Sequence, residues 1–570
     1  MKKIFQHPRH WNRETSLAGL IIFVALVLAT ASSWNDVIVV DEDPHIGAGY
    51  SYVVKQDMRL NPEHPPLAKD LAGIPLLFLN LKNGAFDSQS WTTDNNGQWE
   101  FGRKLIYNSG NNANLITHAV KIAMLLLFAV SAIFLFRWTR ERYGNHAAFL
   151  ALILFVFSPT IMAHARFVTT DMAALTGVLL ATYYFVQYLK ESSRRNFWFA
   201  TVTFGIALLM KFSTILLIPF FILLALIWSW RTLGRTFLVM LFGFVVVVWP
   251  VYFFHVFNYP PDRQRADTEK ILSYQERGPL QKTILWMSDK PFIRATGQYG
   301  LGLLMVMQRS AGGNTVYFRG NVTLAAGPSY FPFVYLIKEP LPWLVLLVIA
   351  IVLAITKFQV SGFRFQNLRP WLHDNFDEIA MLLWLGIYWG ISIHSTLNIG
   401  IRHLLPVYPF MIMLVAGQII KLPKRILFTV PVLLAWFLFE NLRVFPYYLT
   451  YFNQTVGGPS GGYRYVVDSN LDWGQDLRRL ADWIRDHEIH KIDLDYFGWA
   501  DQTYYLGSRF TWTTVDTYKS KEDFLARNTS DGWIAVSATF LMNNYNTKYA
   551  WLYSNNAVTV IGNSIFIYHL

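Results

Sequence analysis

The stretch DEDPHIGAGYSYVVKQDMRLNPEHPPLAKD concentrates acidic residues and histidines between two strongly apolar parts of the chain. Asp41, Glu42 and His45 open this stretch, and Glu63 and His64 stand directly before two successive prolines. Carboxylates can accept and donate protons, and a positioned carboxylate accelerates proton transfer by about a hundredfold to ten-thousandfold. Because the apolar flanks predict a membrane, the cluster indicates chemistry at a membrane face.

A second set of ionisable residues lies at the ends of apolar segments farther along the chain. Arg166 and Asp171 occur in HARFVTTDMAAL, Lys211 in ALLMKFSTILL, and Arg402 and His403 in NIGIRHLLPVYP. Ionisable residues at membrane depth are costly and by default mark functional sites. The alternative is that each caps a helix end or extends to the membrane surface, as the threonines before Asp171 allow. Their placement on one side of the membrane favours a shared functional site.

Carboxylates and cations together suit the transfer of a group from a phosphorylated lipid. Cations can hold a phosphate or pyrophosphate leaving group through charge-assisted hydrogen bonds. A carboxylate can take the proton from an attacking hydroxyl. The three carboxylates of this set are Asp41, Glu63 and Asp171, and the three cations are Lys211, Arg166 and Arg402.

The composition is that of a polytopic membrane protein. Of 570 residues, 53% are hydrophobic and only 15% are charged, which is more apolar surface than a soluble core requires. The formal net charge of +12 comes from short basic clusters between apolar runs, as in cytoplasmic loops, and nucleic acid is not an expected partner. The absence of cysteine excludes disulfides and thiolate metal sites.

Eleven segments approach the roughly 20 apolar residues that a membrane span needs. The predicted spans are residues 16–34, 115–136, 146–163, 171–189, 196–210, 213–230, 236–257, 340–356, 378–394, 402–420 and 426–441. We divide the run 196–230 near Lys211, because a lysine at mid-membrane costs about 2.5–3.5 kcal/mol. With the N-terminus cytoplasmic, all six basic clusters fall on one side of the membrane, so the C-terminus is predicted to lie outside.

Three longer segments then lie outside the membrane: the loops 35–114 and 258–339 and the tail 442–570. In the first loop, LAGIPLLFLNL suits the membrane interface. In the tail, KIDLDYFGW, DGWIAVSATF and AVTVIGNSIFIYHL alternate as strands do, and LDWGQDLRRLADWIRDHE has the spacing of an amphipathic helix. The predicted fold class is an α-helical polytopic membrane domain, residues 1–441, followed by a small extracytoplasmic α/β domain, residues 442–570.

Five motifs resemble, in order and spacing, those of a known family. DEDPHIGAGYSY, NPEHPPLAKDLAGIPLL, ARFVTTDMAAL, ALLMKFSTILLIP and IRHLLPVYP look like successive signature stretches of polyprenyl-phosphate-dependent glycosyltransferases of the GT-C fold. That family includes the protein O-mannosyltransferases and the lipid A aminoarabinose transferases. The resemblance covers roughly residues 10–440, and the order of the motifs is more specific than any one of them.

The resemblance implies a role for the matching residues. It implies that Asp41 is the catalytic base, that Glu63 lies in the same cavity, and that Lys211 contacts the lipid phosphate. The expected catalytic residues are Asp41, Glu63 and Asp171, and the expected donor-phosphate-binding residues are Lys211, Arg402 and Arg166. The expected substrate-binding residues are Glu42, His45, His64 and His403.

The chain departs from the family pattern in three respects. His64 stands where aminoarabinose transferases usually have lysine, so one phosphate contact has no counterpart here. The β-trefoil insertion of eukaryotic protein O-mannosyltransferases is absent. The tail motif VVDSNLDWGQDLRRL looks like one from uncharacterised bacterial members and either contacts a sugar or acceptor or forms a capped helix start.

A divalent metal remains open from the sequence. No cofactor follows firmly from the motifs, but His45, His64 and His255 could bind a metal together with Glu63. The four residues lack the close spacing that identifies a metal site.

The sequence therefore predicts a multi-pass glycosyltransferase of the plasma (inner) membrane. It would transfer a mannose-like hexose, or a related sugar, from a polyprenyl phosphate to an acceptor hydroxyl on the extracytoplasmic side, with inversion. The expected partners are the lipid-linked sugar, a protein, lipid or glycan acceptor, and membrane lipids. The alternative is a lipid-linked sugar flippase or transporter, a class that usually shows inverted repeats and polar groups near mid-membrane.

Overall fold

The computed structural model describes residues 13–274, 278–360 and 368–570. Two of the six basic clusters counted from the sequence, at the N-terminus (Lys2, Lys3, Arg9, Arg13) and after residue 356 (Lys357, Arg364, Arg369), therefore lie partly outside the described residues. Within those ranges, six helices are long and apolar enough to cross a membrane: Arg13–Ser32, Ala113–Tyr143, Thr170–Lys190, Trp230–His255, Phe376–His394 and Arg425–Val444. Two helix pairs qualify only together, Asn145–Val156 with Pro159–Ala165, bent by 62°, and Tyr330–Lys338 with Leu341–Thr356, bent by 116°. The protein is a mostly helical, multi-pass membrane protein.

The predicted number of eleven spans is not confirmed, because several predicted spans are short or broken helices. Arg194–Met210 ends at the extended residue Lys211, where the sequence predicted a break, and Leu217–Trp228 follows after a 3₁₀ turn. The predicted span 402–420 is a 3₁₀ segment, Ile401–Val407, followed by the 12-residue helix Tyr408–Ile419. At 1.5 Å per residue, such a helix covers about 18 Å, less than the hydrocarbon core.

Short helices fill the two long loops between apolar segments. They are Glu42–Lys55, Leu67–Leu76, Gln89–Thr92, Gln98–Arg103, Pro261–Ile271, Pro279–Met287 and Arg294–Gly312. After Leu67–Leu76 the exposed side chains of Leu77 and Phe78, 48% and 79% accessible, continue an apolar surface. A surface of this kind fits the predicted interfacial segment.

The helix Glu42–Lys55 is fixed by close backbone contacts through glycine. A Cβ atom at Gly49 would lie 2.0 Å from the carbonyl oxygen of Lys69, and one at Gly73 would lie 2.5 Å from the carbonyl oxygen of Gly49. Only glycine lets these backbones approach so closely. Since the helix starts directly after Asp41, this packing sets the position of that carboxylate.

The tail forms a five-stranded sheet in the order β4-β3-β5-β7-β6. β3 runs parallel to both β4 and β5, whereas β5 with β7 and β7 with β6 are antiparallel. A separate hairpin joins β1 and β2 in the second loop. The strands are β1 (Val316–Phe318), β2 (Asn321–Thr323), β3 (Ile492–Asp495), β4 (Phe510–Trp512), β5 (Trp533–Ser537), β6 (Thr559–Ile561) and β7 (Ile565–His569).

Helices flank this sheet and connect it to the apolar part of the chain. They are Leu477–Asp486, Gln502–Leu506, Lys521–Arg527, Ala538–Asn543 and Ala550–Tyr553. The helix Thr429–Val444 runs through the predicted boundary at residue 441. The amides of Val37 and Val40 donate to the carbonyl oxygens of Gln475 and Trp473, each at 3.1 Å. The tail is thereby bonded directly to the segment that leads into Asp41.

Candidate active site

A cavity of about 210 Å³ collects most of the residues that the sequence singled out. Seven of the ten predicted site residues line it: Asp41, His45, Glu63, His64, Lys211, Arg402 and His403. Apolar side chains form another part of its wall, among them Phe212, Leu216, Val306, Phe331 and Ile391. The cavity therefore combines a charged region with an apolar one.

Two carboxylates and two cations meet at the charged end of the cavity, and we call them the Arg402 cluster. Nη1 of Arg402 donates to Asp41 Oδ2 at 2.8 Å and to Asp171 Oδ2 at 3.2 Å. Nζ of Lys211 donates to Asp171 Oδ1 at 2.5 Å. Asp41 and Arg402 are therefore in direct contact although 361 positions separate them in the sequence.

The two carboxylates of the Arg402 cluster differ in access. The side chain of Asp171 is 1% exposed, lies in the first turn of Thr170–Lys190, and bonds to both cations. The positive end of the helix dipole adds to this stabilisation. The side chain of Asp41 is 24% exposed and lines the cavity. Its Oδ1 accepts no hydrogen bond from any residue that the structure describes. Asp41 is therefore the carboxylate of the pair that a ligand can reach.

The tail helps to hold Arg402 in place. The guanidinium lies over the ring of Trp473, 4.2 Å from its centroid, and Nε donates to Ser469 Oγ at 3.2 Å. Asn470 Oδ1 accepts the backbone amide of Ile401 at 2.9 Å. These three tail residues belong to the motif VVDSNLDWGQDLRRL. In the structure they contact the arginine and its peptide segment, which is a positioning role.

A second ion pair joins the two long loops at the cavity wall. Nη1 of Arg309 donates to Glu63 Oε1 at 2.6 Å, and both residues line the cavity. Arg309 lies in Arg294–Gly312, in the loop that the sequence marked only as rich in arginine. No motif set it apart from the other arginines there. Only the helical periodicity of residues 294–312 could have indicated which arginine of this segment faces the cavity.

Three histidines also line the cavity. The rings of His45 and His64 meet edge to face with centroids 5.2 Å apart. Burial lowers the pKa of His45 to about 4 and lowers the pKa of His64 well below its usual value, so both are neutral at pH 7. Nδ1 of His45 is 2.8 Å from the carbonyl oxygen of Val168, which makes Nδ1 the protonated nitrogen. His403 Nε2 is buried and has no protein partner among the described residues. Neutral imidazoles of this kind can bond to ligand hydroxyls.

Three predicted site residues, Asp171, Glu42 and Arg166, do not line the cavity, and of these Asp171 reaches it only through its bonds to Lys211 and Arg402. Glu42 is fully buried and accepts the backbone amides of Val39 at 2.7 Å and Val168 at 2.9 Å. Arg166 is buried against Asp36, with Nη2 at 3.0 Å from Oδ2. Glu42 and Arg166 each connect segments that carry site residues. We therefore assign these two side chains a structural role and no contact with a ligand.

No metal site is formed by the residues that the structure describes. Within them, no group of three or more His, Asp or Glu side chains is arranged to hold a metal ion. His255, one of the four residues considered from the sequence, has Nε2 3.0 Å from Asp70 Oδ1 and does not line the cavity.

The chain matches a protein-family model and solved structures, whereas no curated protein sequence matches it. ArnT from Cupriavidus metallidurans, solved with undecaprenyl phosphate, aligns with a TM-score of 0.47 at 12% identity over 97% of this chain and 98% of that chain. Oligosaccharyltransferase AglB from Archaeoglobus fulgidus, solved with an inhibitory peptide and a dolichol-phosphate, aligns at 0.40 and 12% identity over 94% and 71%. Arabinofuranosyltransferase AftD from Mycobacteria aligns at 0.36 and 12% identity over 92% and 35%.

The family match lies in the part of the chain between the first loop and the second. Residues 114–254 match the family model for "Dolichyl-phosphate-mannose-protein mannosyltransferase". This range includes Asp171 and Lys211, and it excludes Asp41, Glu63 and Arg402. The match confirms the resemblance to polyprenyl-phosphate-dependent glycosyltransferases that the motifs indicated, over these residues.

Proposed function

We propose that this protein is a membrane glycosyltransferase that moves a sugar from a polyprenyl phosphate to an acceptor hydroxyl. The observation that carries the proposal is the Arg402 cluster, in which the accessible carboxylate Asp41 shares one cavity with Lys211 and Arg402. A general base and phosphate-binding cations are the two elements that such a transfer needs. The family description names dolichyl-phosphate mannose as the donor, and we propose a mannose-like hexose here.

The cations are assigned to the phosphate of the donor. Arg402 and Lys211 already bond to carboxylates in the cavity, and Arg309 lies at its wall. Arginine and lysine bind phosphate oxygens through charge-assisted hydrogen bonds. The apolar wall formed by side chains such as Phe212 and Phe331 suits the first isoprene units of the lipid. The donor thus lies with its phosphate at the cluster and its tail toward the membrane.

Asp41 is assigned as the base of a single displacement. The acceptor oxygen attacks the anomeric carbon as Asp41 takes its proton, and the bond from that carbon to the phosphate oxygen breaks. The electron pair leaves on the phosphate, where Lys211 and Arg402 stabilise the added charge. One displacement inverts the anomeric configuration. Asp171 keeps both cations in position, and Glu63 with the three histidines orients donor or acceptor.

The membrane arrangement follows the sequence prediction. We propose that the chain crosses the plasma membrane eleven times, with the shorter helices counted as crossings and the N-terminus in the cytoplasm. The loops 35–114 and 258–339 and the tail 442–570 then lie on the extracytoplasmic side together with the cavity. The distribution of the basic clusters supports this orientation. The acceptor hydroxyl belongs to a protein, a lipid or a glycan on that side.

The test is transfer by the purified protein in lipid nanodiscs without any gradient. Supplied with polyprenyl-phosphate [³H]mannose and a membrane acceptor fraction, the wild type should move label to the acceptor and release polyprenyl phosphate. Asp41→Asn should lower transfer at least about a hundredfold, the lower range of general-base effects, and keep donor binding because Lys211 and Arg402 remain.

Asp482→Asn, an exposed acid in the tail, is the matched control and should behave as the wild type. Full turnover by the Asp41→Asn protein would overturn the assignment of the base. A lipid-linked sugar flippase would move the donor between leaflets and leave the sugar on the lipid, so label retained on the lipid by the wild type would reject the transferase.

A further inference from the structure

A second cavity, of about 580 Å³, lies between the tail and Arg103 of the first loop, and we call it the sheet-edge pocket. It opens where β3 and β4 end, since Asp495 and Trp512 are the last residues of those parallel strands and both line it. In open α/β sheets, ligands bind outside the carboxyl ends of parallel strands, where the loops diverge. No part of the proposed transfer reaction uses this pocket.

Two exposed tryptophans form the apolar part of the sheet-edge pocket. Trp512 is 67% exposed and Trp499 is 38% exposed, and both line the pocket. The ring of Trp499 is stacked on that of Trp99, with centroids 4.9 Å apart and an angle of 28° between the planes. The stack orients Trp499, because Trp99 belongs to the helix Gln98–Arg103. Contiguous exposed apolar surface at a cavity is typical of a ligand-binding groove.

Apart from Arg103, the polar side chains of the pocket include a carboxylate acceptor and neutral donors. Asp495 is 4% exposed, and its Oδ2 accepts the hydroxyl of Tyr549 at 2.6 Å. Its Oδ1 accepts no hydrogen bond from the residues that the structure describes. Burial raises the pKa of Asp495 to about 6, which leaves it ionised at pH 7. Gln502 and Thr514 add an amide and a hydroxyl at the same pocket.

The charge of the pocket argues against a phosphate ligand. Of the described residues that line it, Arg103 alone carries a positive charge, and it is paired with Asp501 at 3.1 Å. That ion pair also joins the tail to the helix Gln98–Arg103, which packs against Glu42–Lys55 through Gly102. The pocket therefore lies at a fixed junction between the sheet and the loop that carries Asp41.

We propose that the sheet-edge pocket binds a glycan, with pyranose rings stacked on Trp499 and Trp512 and hydroxyls bonded to Asp495. A pyranose presents a face of C–H groups and a rim of hydroxyls. The C–H face packs on an indole, whose ring carries negative charge on its faces. The rim donates to a carboxylate and exchanges hydrogen bonds with an amide or a hydroxyl. The pocket offers these partners in one place.

The test measures glycan binding by the full protein in lipid nanodiscs. Nanodiscs are required because maltoside detergents carry a sugar head group that would compete for the pocket. The probes are three soluble oligosaccharides, mannohexaose, maltoheptaose and chitohexaose, followed by saturation-transfer NMR and isothermal calorimetry. We expect at least one of them to bind the wild type, and Trp512→Ala and Trp499→Ala each to weaken that binding tenfold or more.

Two variants separate this pocket from the transfer site and from nonspecific effects. Asp41→Asn should bind the oligosaccharide as the wild type does, so failure of the proposed transfer reaction leaves this result unchanged. Trp230→Ala removes a tryptophan that is 70% exposed elsewhere and should also bind normally. The proposal is overturned if none of the three probes binds, or if the Trp512 and Trp499 variants bind as tightly as the Trp230 variant.

Discussion

Two ion clusters of this protein each contain two aspartates and two basic side chains, but their surroundings differ. The Arg402 cluster contains Asp41 and Asp171 with Lys211 and Arg402. A second cluster, here the Arg166 cluster, joins Arg166 to Asp36 at 3.0 Å and Arg479 to Asp36 at 2.7 Å and to Asp476 at 2.5 Å.

Access to a cavity is what separates the two clusters. Asp41 is 24% exposed and faces the cavity, whereas Asp36 and Arg166 are each 1% exposed. Charge near a membrane therefore does not identify a functional site by itself. A sealed cluster stabilises the fold and connects segments, while an open one can exchange a protein partner for a ligand.

The largest expected effect is on stability, in the sealed cluster. Arg166→Met leaves the buried Asp36 with one partner fewer, and breaking a buried pair in this way costs about 3–5 kcal/mol. We expect a strongly lowered thermal unfolding temperature, measured by fluorescence in nanodiscs. Asp36→Asn combined with Arg166→Met should recover part of the loss. Arg485→Met, at a side chain that is 60% exposed, is the control. An equal loss of stability in this variant would show that the buried pair contributes no more than an exposed one.

The next effect is on activity, in the open cluster. Arg402→Gln removes the donor that reaches both carboxylates, and loss of one such donor costs about a hundredfold to thousandfold in kcat. The unfolding temperature should change less than in the Arg166 variant, because Lys211 still neutralises Asp171. Arg402→Lys keeps the charge and should retain more activity. Equal stability losses in the Arg402 and Arg166 variants would show that the clusters do not differ as proposed.

The smallest effect is expected at the exposed ion pair on the cavity wall. The side chain of Arg309 is 47% exposed, and pairs of this kind contribute about 0.2–1 kcal/mol. Arg309→Gln should raise KM for the lipid donor about two- to fivefold, more at low salt than at high salt, with an unchanged unfolding temperature. Complete loss of transfer would contradict this prediction and show that Arg309, like Arg402, is required for the reaction.

The contact between distant site residues was foreseeable, but their individual orientations were not. The motifs pointed to Asp41, Lys211 and Arg402, which the structure brings together. Glu42 follows Asp41 directly, yet it points into the protein because the two residues occupy successive positions around a helix start. Sequence alone does not reveal which of two adjacent acids faces a cavity.

Residues outside motifs were missed for physical reasons. Arg309 lies on a helix in an arginine-rich loop, and only the folded chain brings it to Glu63. In the tail, the alternating runs predicted β3, β5, β6 and β7. β4 is a three-residue strand, Phe510–Trp512, paired along one side with β3, and unlike the equally short β6 it does not belong to a longer alternating run.

The contacts of Trp473, Ser469 and Asn470 with the Arg402 segment have a consequence for biogenesis. The ribosome makes these residues after the apolar helices that the structure describes, and the tail must fold before the arginine has all of its contacts. A chain that already sits in the bilayer without a folded tail therefore lacks the stacking and the hydrogen bond that hold Arg402. Formation of the complete Arg402 site is thus a late step of folding that depends on the tail.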